Sequence, residues 1–347
     1  MLAFRAYSWF LARRLGLTIL TLWGLASLVF IMIKLMPGDE AQMAAGADAS
    51  AAQIEAVRER LGLDAPVIIQ YFGFLGRLLR GDLGTSIVTL QPVLNDLEKV
   101  LPSTLELVFL AMLLNLAIAI PTGIVAANRQ GGVFDTVCRV TAVMLGGMPA
   151  FWLALVLQYL LGSVWRIVPI SGQASFGMAA PAVTGATAID AIIALNGPAF
   201  LDALHHLILP AAVLAALFAT QVFRTLRASL LGVLRSDFIT AIRAKGASSR
   251  RMLVGHALPN SLNPVLTLSG TQAGAMIGSA VLVETVFARQ GIGAYMFNAV
   301  AQKDSFAVLG SVMFIGSVVC LVNLAVDILQ LLVDPRIRAA QLGSQSQ

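Results

Sequence analysis

The chain alternates between long apolar runs and short polar breaks. Six runs are long enough for a membrane-crossing helix: Leu15–Met36, Thr104–Ala127, Thr136–Ser163, His206–Thr225, Leu262–Phe287 and Phe306–Val333. The first would reach roughly 33 Å as a helix at about 1.5 Å per residue. Arg5, Arg13 and Arg14 precede it, as they would precede a secretory signal. Its length exceeds the roughly 7–15 apolar residues of a cleavable signal, so a retained first helix is expected, with Lys34 snorkelling to the interface.

Three of the breaks are longer and carry patterns of their own. In 37–102, Ser50 and Gln53 form a capping box, and Ile54, Val57 and Leu61 share a helical face that stops at Gly62. Pro66 can open a second helix, with Gly81 as its stop. This region either docks a partner or shields the end of the bundle. The segment Trp165–His205, with its "SGQASFGMAAPAVTGATA", reads as a mobile loop with room for one short helix. The third break, 228–260, is an amphipathic hairpin. Leu226, Leu230 and Leu234 extend the fourth run, Gly246 interrupts, Ser248 can cap a second helix and Pro259 precedes the next run.

Composition turns this pattern into a compartment. Of 347 residues, 58% are hydrophobic and 12% charged, with mean hydropathy +0.84. A soluble domain has about 25% charged residues, so the reading is an all-α, polytopic membrane protein with about six transmembrane helices. The net charge of +5 does not imply nucleic acid, because the basic residues sit in short loops. Arg129, Arg224, Arg227, Arg235, Arg243, Lys245, Arg250, Arg251, Arg336 and Arg338 fall on one side with the N-terminus. Arg166 and Lys303 stand in the two later loops opposite. By the positive-inside rule both termini are cytoplasmic. The expected division is 1–36 for the N-terminal end and first helix, 37–102 for an extracytoplasmic helical region, 103–335 for a five-helix core carrying the cytoplasmic loop 228–260, and 336–347 for a cytoplasmic tail.

Catalytic chemistry is not visible in the sequence. There is no phosphate-cradling G-x-x-x-x-G-K-[ST], no HExxH, CxxC or GxSxG, and Cys138 and Cys320 lie in or beside apolar runs. His205 and His206 stand at a membrane entry, where an interfacial polar role outweighs metal contact. Within the fifth run, Gly270, Gly274 and Gly278 recur at four-residue spacing, which permits close helix approach in lipid. Gln272 and Glu284 are polar groups of the same run, and Glu106 and Asp327 lie toward the ends of others. Helix packing and pathway lining both remain open for these positions.

The hairpin carries a family resemblance. Thr240-Ala241-Ile242, Gly246, His256 and Leu258-Pro259 are spaced as in the EAA loop of ATP-binding-cassette importer permeases. "AIRAKGASSRRMLVGHALPNSLNPVLT" resembles the version found in the peptide and nickel permease family. "ARRLGLTIL…MPGD", "RLGLDAPVIIQYFGFLGRLLRGDLGTS", "MPAFWLALVL", "ETVF…GIG" and "DPRIR" follow the same family in order over nearly the whole chain. Thr240 stands where the motif has an acidic residue, "FARQGIG" replaces an aromatic-proline form, and the third outer segment is longer than the family leads one to expect.

The resemblance implies a type I importer permease fold in the bacterial inner membrane, working by alternating access. It implies a second homologous permease, two ATPase subunits that bind ATP and Mg, an extracytoplasmic solute-binding protein and surrounding lipid as partners, with no cofactor on this chain. Thr240, Ala241, Arg243, Ala244, Lys245, Gly246, Ala247, His256 and Pro259 would then form the coupling segment. Arg243 and Lys245 would meet acidic groups of the ATPase or lipid headgroups. The implied substrates are di- or oligopeptides, with nickel, glutathione or opine-like compounds as alternatives. An ion-coupled secondary transporter is the competing class, and it lacks repeated halves with matching broken helices.

Overall fold

The computed structural model describes residues 2–35, 40–46 and 49–333. The tail 336–347, the "DPRIR" motif and the "MPGD" motif lie outside the described residues. Fourteen helices follow in order among the described residues. They are α1 (Leu2–Leu35), α2 (Glu40–Ala45), α3 (Ala51–Leu61), α4 (Val67–Leu79), α5 (Val93–Asn128), α6 (Val133–Gly146), α7 (Ala150–Leu157), α8 (Thr187–Ile193), α9 (Gly197–Leu234), α10 (Asp237–Ala244), α11 (Leu258–Ser261), α12 (Asn263–Val286), α13 (Ile292–Ala301) and α14 (Ser305–Val333). Wider π-helical turns extend α7 over Gln158–Val164 and lead into α11 over Arg251–Ala257.

Five helices are long and apolar enough to cross a membrane, and a sixth span forms if α6 and α7 count as one. The run Thr136–Ser163 therefore departs from the single helix expected: it bends by 110° between Gly146 and Ala150. Pro149 has no amide hydrogen to continue the ladder and pushes Met148 away from helical geometry, so the chain restarts with Pro149 as the cap of α7. Two other spans are longer than their apolar runs. α5 begins at Val93 and carries Pro102 and Pro121 inside it, so position 102 falls within a helix. α9 begins at Gly197, where the Asn196 side chain accepts the amide of Ala199 at 3.1 Å.

The loop before α5 shows the local signals expected of it. Ser50 and Gln53 form the reciprocal capping box of α3, and Gly62 closes that helix with φ +65°. α9 is the central helix, with 67% of its most apolar stretch buried, against 17–39% in the other four single-helix spans. Leu207, Val213 and Leu214 of α9 pack with Leu107 and Ala111 of α5, Leu153 of α7, and Met276, Ile277 and Val283 of α12. Where α5 crosses α9, a side chain on Gly123 would come within 3.1 Å of Leu226, so glycine sets the helix separation there. The remaining spans keep broad apolar faces outward.

Candidate functional site

The hairpin is built from α10, a glycine turn and the π-helical turn that runs into α11. At its tip the amide of Gly246 donates to the Arg243 carbonyl at 3.0 Å and that of Ala247 to the Ile242 carbonyl at 3.5 Å. This pair of bonds closes α10 as a Schellman cap, and Gly246 takes the left-handed φ of +81° that the cap requires. Ser248 then accepts the amide of Arg251 at 3.4 Å and starts the second arm.

One side of the hairpin is glued to the bundle. Ile239, Met252 and Ala257 are buried against Ala127 of α5 and Leu230 of α9. The other side is bare: Thr240, Ala241, Arg243, Ala244, Lys245, Gly246 and Pro259 are exposed, and Ala247 and His256 are half-buried. The His256 ring stands edge-on to Phe238 with centroids 6.3 Å apart, and its carbonyl accepts the Asn260 side chain at 2.7 Å, so it ties the two arms together. Seven of the nine candidate coupling residues are thus exposed, the cations Arg243 and Lys245 among them. One of the anchoring helices, α9, is also tied to α6, where buried Asp135 accepts Arg227 of α9 at 2.5 and 2.7 Å.

Inside the spans, Gln272 belongs to a buried polar chain. The Asn115 side chain of α5 donates to Gln272 at 2.9 Å, and Gln272 donates to the Phe218 carbonyl of α9 at 3.1 Å. Three helices are pinned together at this depth. The glycines of α12 separate in role. A side chain at Gly274 would come within 2.8 Å of Asn323 and 3.0 Å of Val319 on α14, which makes it a packing residue. Gly270 is buried, whereas Gly278 is exposed and has open space beside it.

The end of the bundle away from the hairpin is held by charge. Glu284 is fully buried, and its carboxylate accepts the amide of Gly293 at 2.8 Å in the first turn of α13. A Cβ on Gly291 would overlap that carboxylate, so the "ETVF…GIG" motif is a helix cap that needs glycine opposite the acid. Glu284 therefore belongs to packing. Beside it Arg289, 1% exposed, faces Glu106 of α5 at 3.5 Å. Burial lowers the Arg289 pKa, and the carboxylates of Glu106 and Glu284 oppose that shift. Glu106 also accepts the amide of Ala188 at 2.8 Å, so the same carboxylate holds the start of α8.

The segment 165–205, expected as a mobile loop with room for one short helix, holds that helix as α8 and is tied to the bundle by side-chain hydrogen bonds. Gln173 donates to Ser103 at 2.6 Å, Ser175 donates through its amide and hydroxyl to Asp202 at 2.7 Å each, and His205 bonds the Ile167 carbonyl at 2.9 Å. Asp190 accepts the amide and hydroxyl of Thr184 at 2.7 Å each and the Gly185 amide at 3.1 Å. Burial would raise the Asp190 carboxyl, but these bonds outweigh it and hold the pKa below the usual carboxylate value. Nearby, Asp304 caps α14 through the Ala307 amide and reaches across to Ser86 at 2.6 Å. Sequence reading passed over Asn115, Asp135, Arg289 and Asp304. Asn115 is a lone polar residue inside an apolar run, which was an available signal; Asp135, Arg289 and Asp304 stand among other polar residues at the ends of runs and offered none as distinct.

Comparison with known proteins assigns the fold. Residues 119–339 match the family described as "Binding-protein-dependent transport system inner membrane component", and residues 7–108 match its N-terminal companion. A di/tripeptide transport system permease protein of Pseudomonas aeruginosa is 39% identical over 332 residues, 95% of this chain and 98% of that one. In Escherichia coli, a probable D,D-dipeptide transport system permease protein is 40% identical over 320 residues, covering 92% and 94% of the two chains, and a dipeptide transport system permease protein is 36% identical over 333 residues, covering 95% and 98%. A helical bundle with five to six spans, matched almost end to end by transport permeases, belongs to the family of binding-protein-dependent transport system inner membrane components, and this chain is an all-α, multi-pass permease subunit of that family.

Proposed function

We propose that this chain imports di- or oligopeptides, forming the translocation pathway with a second homologous permease and drawing its energy from two ATPase subunits that bind ATP and Mg. An extracytoplasmic binding protein delivers the substrate, and both termini face the cytoplasm. The observation that carries the mechanical part is the hairpin: seven of its candidate coupling residues are exposed while Ile239, Met252 and Ala257 root it on α5 and α9. A push on those residues moves α9, the helix at the centre of the bundle, as a rigid lever. Arg243 and Lys245 complement an acidic groove rim on the ATPase.

The need for a second permease is supported by the spans themselves. Only 28% of the most apolar stretch of α5, 39% of that of α12 and 28% of that of α14 is buried within this chain. Those faces await lipid or another subunit. The peptide assignment follows the relatives, whose names specify di- and tripeptides, dipeptides and D,D-dipeptides.

The test is reconstitution of this chain with its partner subunits in proteoliposomes, followed by uptake of labelled dipeptides, longer peptides and Ni²⁺ in parallel. Peptide uptake that stops without ATP is expected. Uptake of Ni²⁺ alone would overturn the substrate and leave the mechanism. ATP-independent uptake would point to an ion-coupled carrier and sink the proposal.

A further inference from the structure

α9 is the most enclosed span, and it opens at one place. Between His205 and Arg224 every residue of the helix is buried or half-buried except Gln221. The exposed positions of other spans carry large apolar side chains, Phe109, Leu113 and Ile118 on α5 and Leu321 on α14 among them. A glutamine at the opening of α9 departs from that pattern. Its links place it deep: Asn115 and Gln272, the other members of its polar chain, stand near the middle of the apolar runs 104–127 and 262–287. Hydrocarbon offers a carboxamide no partner, so a polar side chain at that depth faces the bundle interior or water.

The orientation of Gln221 follows from its neighbours. The Phe218 carbonyl can only accept, so the Gln272 NH2 group faces it at 3.1 Å and the Gln272 oxygen faces the Asn115 NH2 group at 2.9 Å. Gln272 also donates to Gln221 Oε1 at 3.4 Å. With its oxygen turned inward, Gln221 presents its own NH2 group to the opening, and no acceptor among the described residues takes it. Gln221 reaches α12 through Gln272, and the Arg224 guanidinium stands 3.9 Å from where a Cβ on Gly146 would sit, so this face of α9 lies between α12 and the break after α6. The flanks are open and small: Thr271, Ala275 and Gly278 of α12 are exposed, as are Gly146 and Gly147 at the break. The Thr271 hydroxyl already donates to the Leu268 carbonyl at 2.8 Å, so Gln221 supplies the donor on this face.

We propose that Gln221 is a substrate contact on the wall of the translocation pathway, where its NH2 group donates to a main-chain carbonyl of the passing peptide while Thr271, Ala275 and Gly278 leave room for side chains. This rests on the peptide-importer function proposed above and names the face of the chain that meets the substrate. A peptide-bond carbonyl recurs in every di- or oligopeptide whatever its side chains, so a neutral donor suits a pathway that must pass many of them. An NH2 group offers a metal ion nothing to bind. One neutral hydrogen bond is also weak enough to let the peptide move on.

The assembled transporter in proteoliposomes tests this, with Cys138→Ala and Cys320→Ala as the background and thiol labelling read on this chain. Without ATP, Gln221→Cys should react with a charged methanethiosulfonate roughly tenfold faster than Ile19→Cys on the exposed apolar face of α1, because the reagent needs a hydrated thiolate. Equal rates would place Gln221 against lipid or a sealed subunit contact and overturn the proposal. Uptake of a labelled dipeptide then separates contact from scaffold. Gln221→Leu should lower uptake per hydrolysed ATP by roughly five- to tenfold, the loss of one hydrogen bond. Gln221→Glu keeps an oxygen for Gln272 but has no NH2 group, and it should fall as far. Undiminished uptake in the Leu variant, or a Glu variant that matches the parent, would reduce Gln221 to a support for Gln272 and overturn the contact. ATP-dependent dipeptide uptake by the parent checks the importer function separately, so a failure there is told apart from a failure of Gln221.

Discussion

The two ends of the bundle are fastened in different ways. At the hairpin end the attachment is apolar: Ile239, Met252 and Ala257 press on Ala127 and Leu230, and the surface beyond them is solvent-facing and basic. At the opposite end the ties are directional. Glu284 caps α13, Glu106 holds both Arg289 and the start of α8, and Asp304 links α14 to the loop at Ser86. Apolar contact tolerates sliding and small rotation, whereas a buried carboxylate with its donors fixed has one good geometry. The comparison teaches that one end is fastened by contact that can slide and the other by bonds that hold one geometry, which is the division of labour the proposed coupling requires.

The largest effect should come from breaking the charged end. Replacing Arg289 by Met leaves the buried Glu106 and Glu284 without the cation they share, and removing one partner of such a set costs about 3–5 kcal/mol. Unfolding in mixed micelles by SDS titration should show that loss. Adding Glu106→Gln to Arg289→Met should restore part of it, since one of the stranded charges is then gone. A single variant as stable as the parent would mean that the cluster does not fasten this end.

A smaller loss is expected at the hairpin root. Ile239→Ala removes a side chain that is 1% exposed, a change that costs about 2–5 kcal/mol in a core. The low end applies here, because the site sits at the edge of the bundle and can collapse onto the cavity. Its signature is functional: ATP hydrolysis should persist while uptake falls, because the lever is loosened at its base. Uptake and hydrolysis falling in proportion would indicate a general defect and would remove the contrast with the Arg289 variant.

How much of this was legible beforehand differs between the same two ends. The hairpin could be read because its signals are local: a glycine after an amphipathic helix, a serine three residues before Arg251, and a proline before the next apolar run. The spans were legible for a similar reason, since a long apolar run has few alternatives. The bend at Pro149 was missed because apolarity alone does not distinguish a straight span from a broken one. The charged end was missed because its pairs join distant positions, 106 with 188 and 289, or 86 with 304, and one sequence carries no record of such pairing. Arg289 went unremarked inside the "FARQGIG" departure, where it proves to be a buried cation facing Glu106.

The fixed end also has a pH-dependent part. Asp190 has a folded pKa below its unfolded value, so its contribution is present above about pH 4 and is lost as pH falls through the lower, folded value. Hydrogen exchange of amides 184–194 should accelerate several-fold in Asp190→Asn at pH 7, in line with a charge-assisted bond worth about 1.5–3 kcal/mol that the amide replaces only in part. Once the pH falls below the folded value, so that the parent carboxylate protonates too, the two proteins should converge. A difference that stays constant down to that pH would show that charge is not what holds the segment.

The smallest effect on stability, and the sharpest on coupling, belongs to Gly246. Its φ of +81° is strained for any residue with a Cβ, by about 1–2 kcal/mol for ordinary side chains and less for Asn. Among the described residues nothing lies within 4 Å of where that Cβ would sit, so clash with them adds nothing. Gly246→Asn and Gly246→Val therefore separate two explanations for the glycine. If it serves only to cap α10, Asn should transport nearly as well as the parent and Val should be worse, in step with their stabilities. If the tip approaches another backbone closely, as the proposed seat in an ATPase groove requires, both should lose uptake by tenfold or more while remaining folded and inserted. The measurement is uptake per hydrolysed ATP for the two variants side by side, and an Asn variant that couples normally would reduce Gly246 to a helix cap.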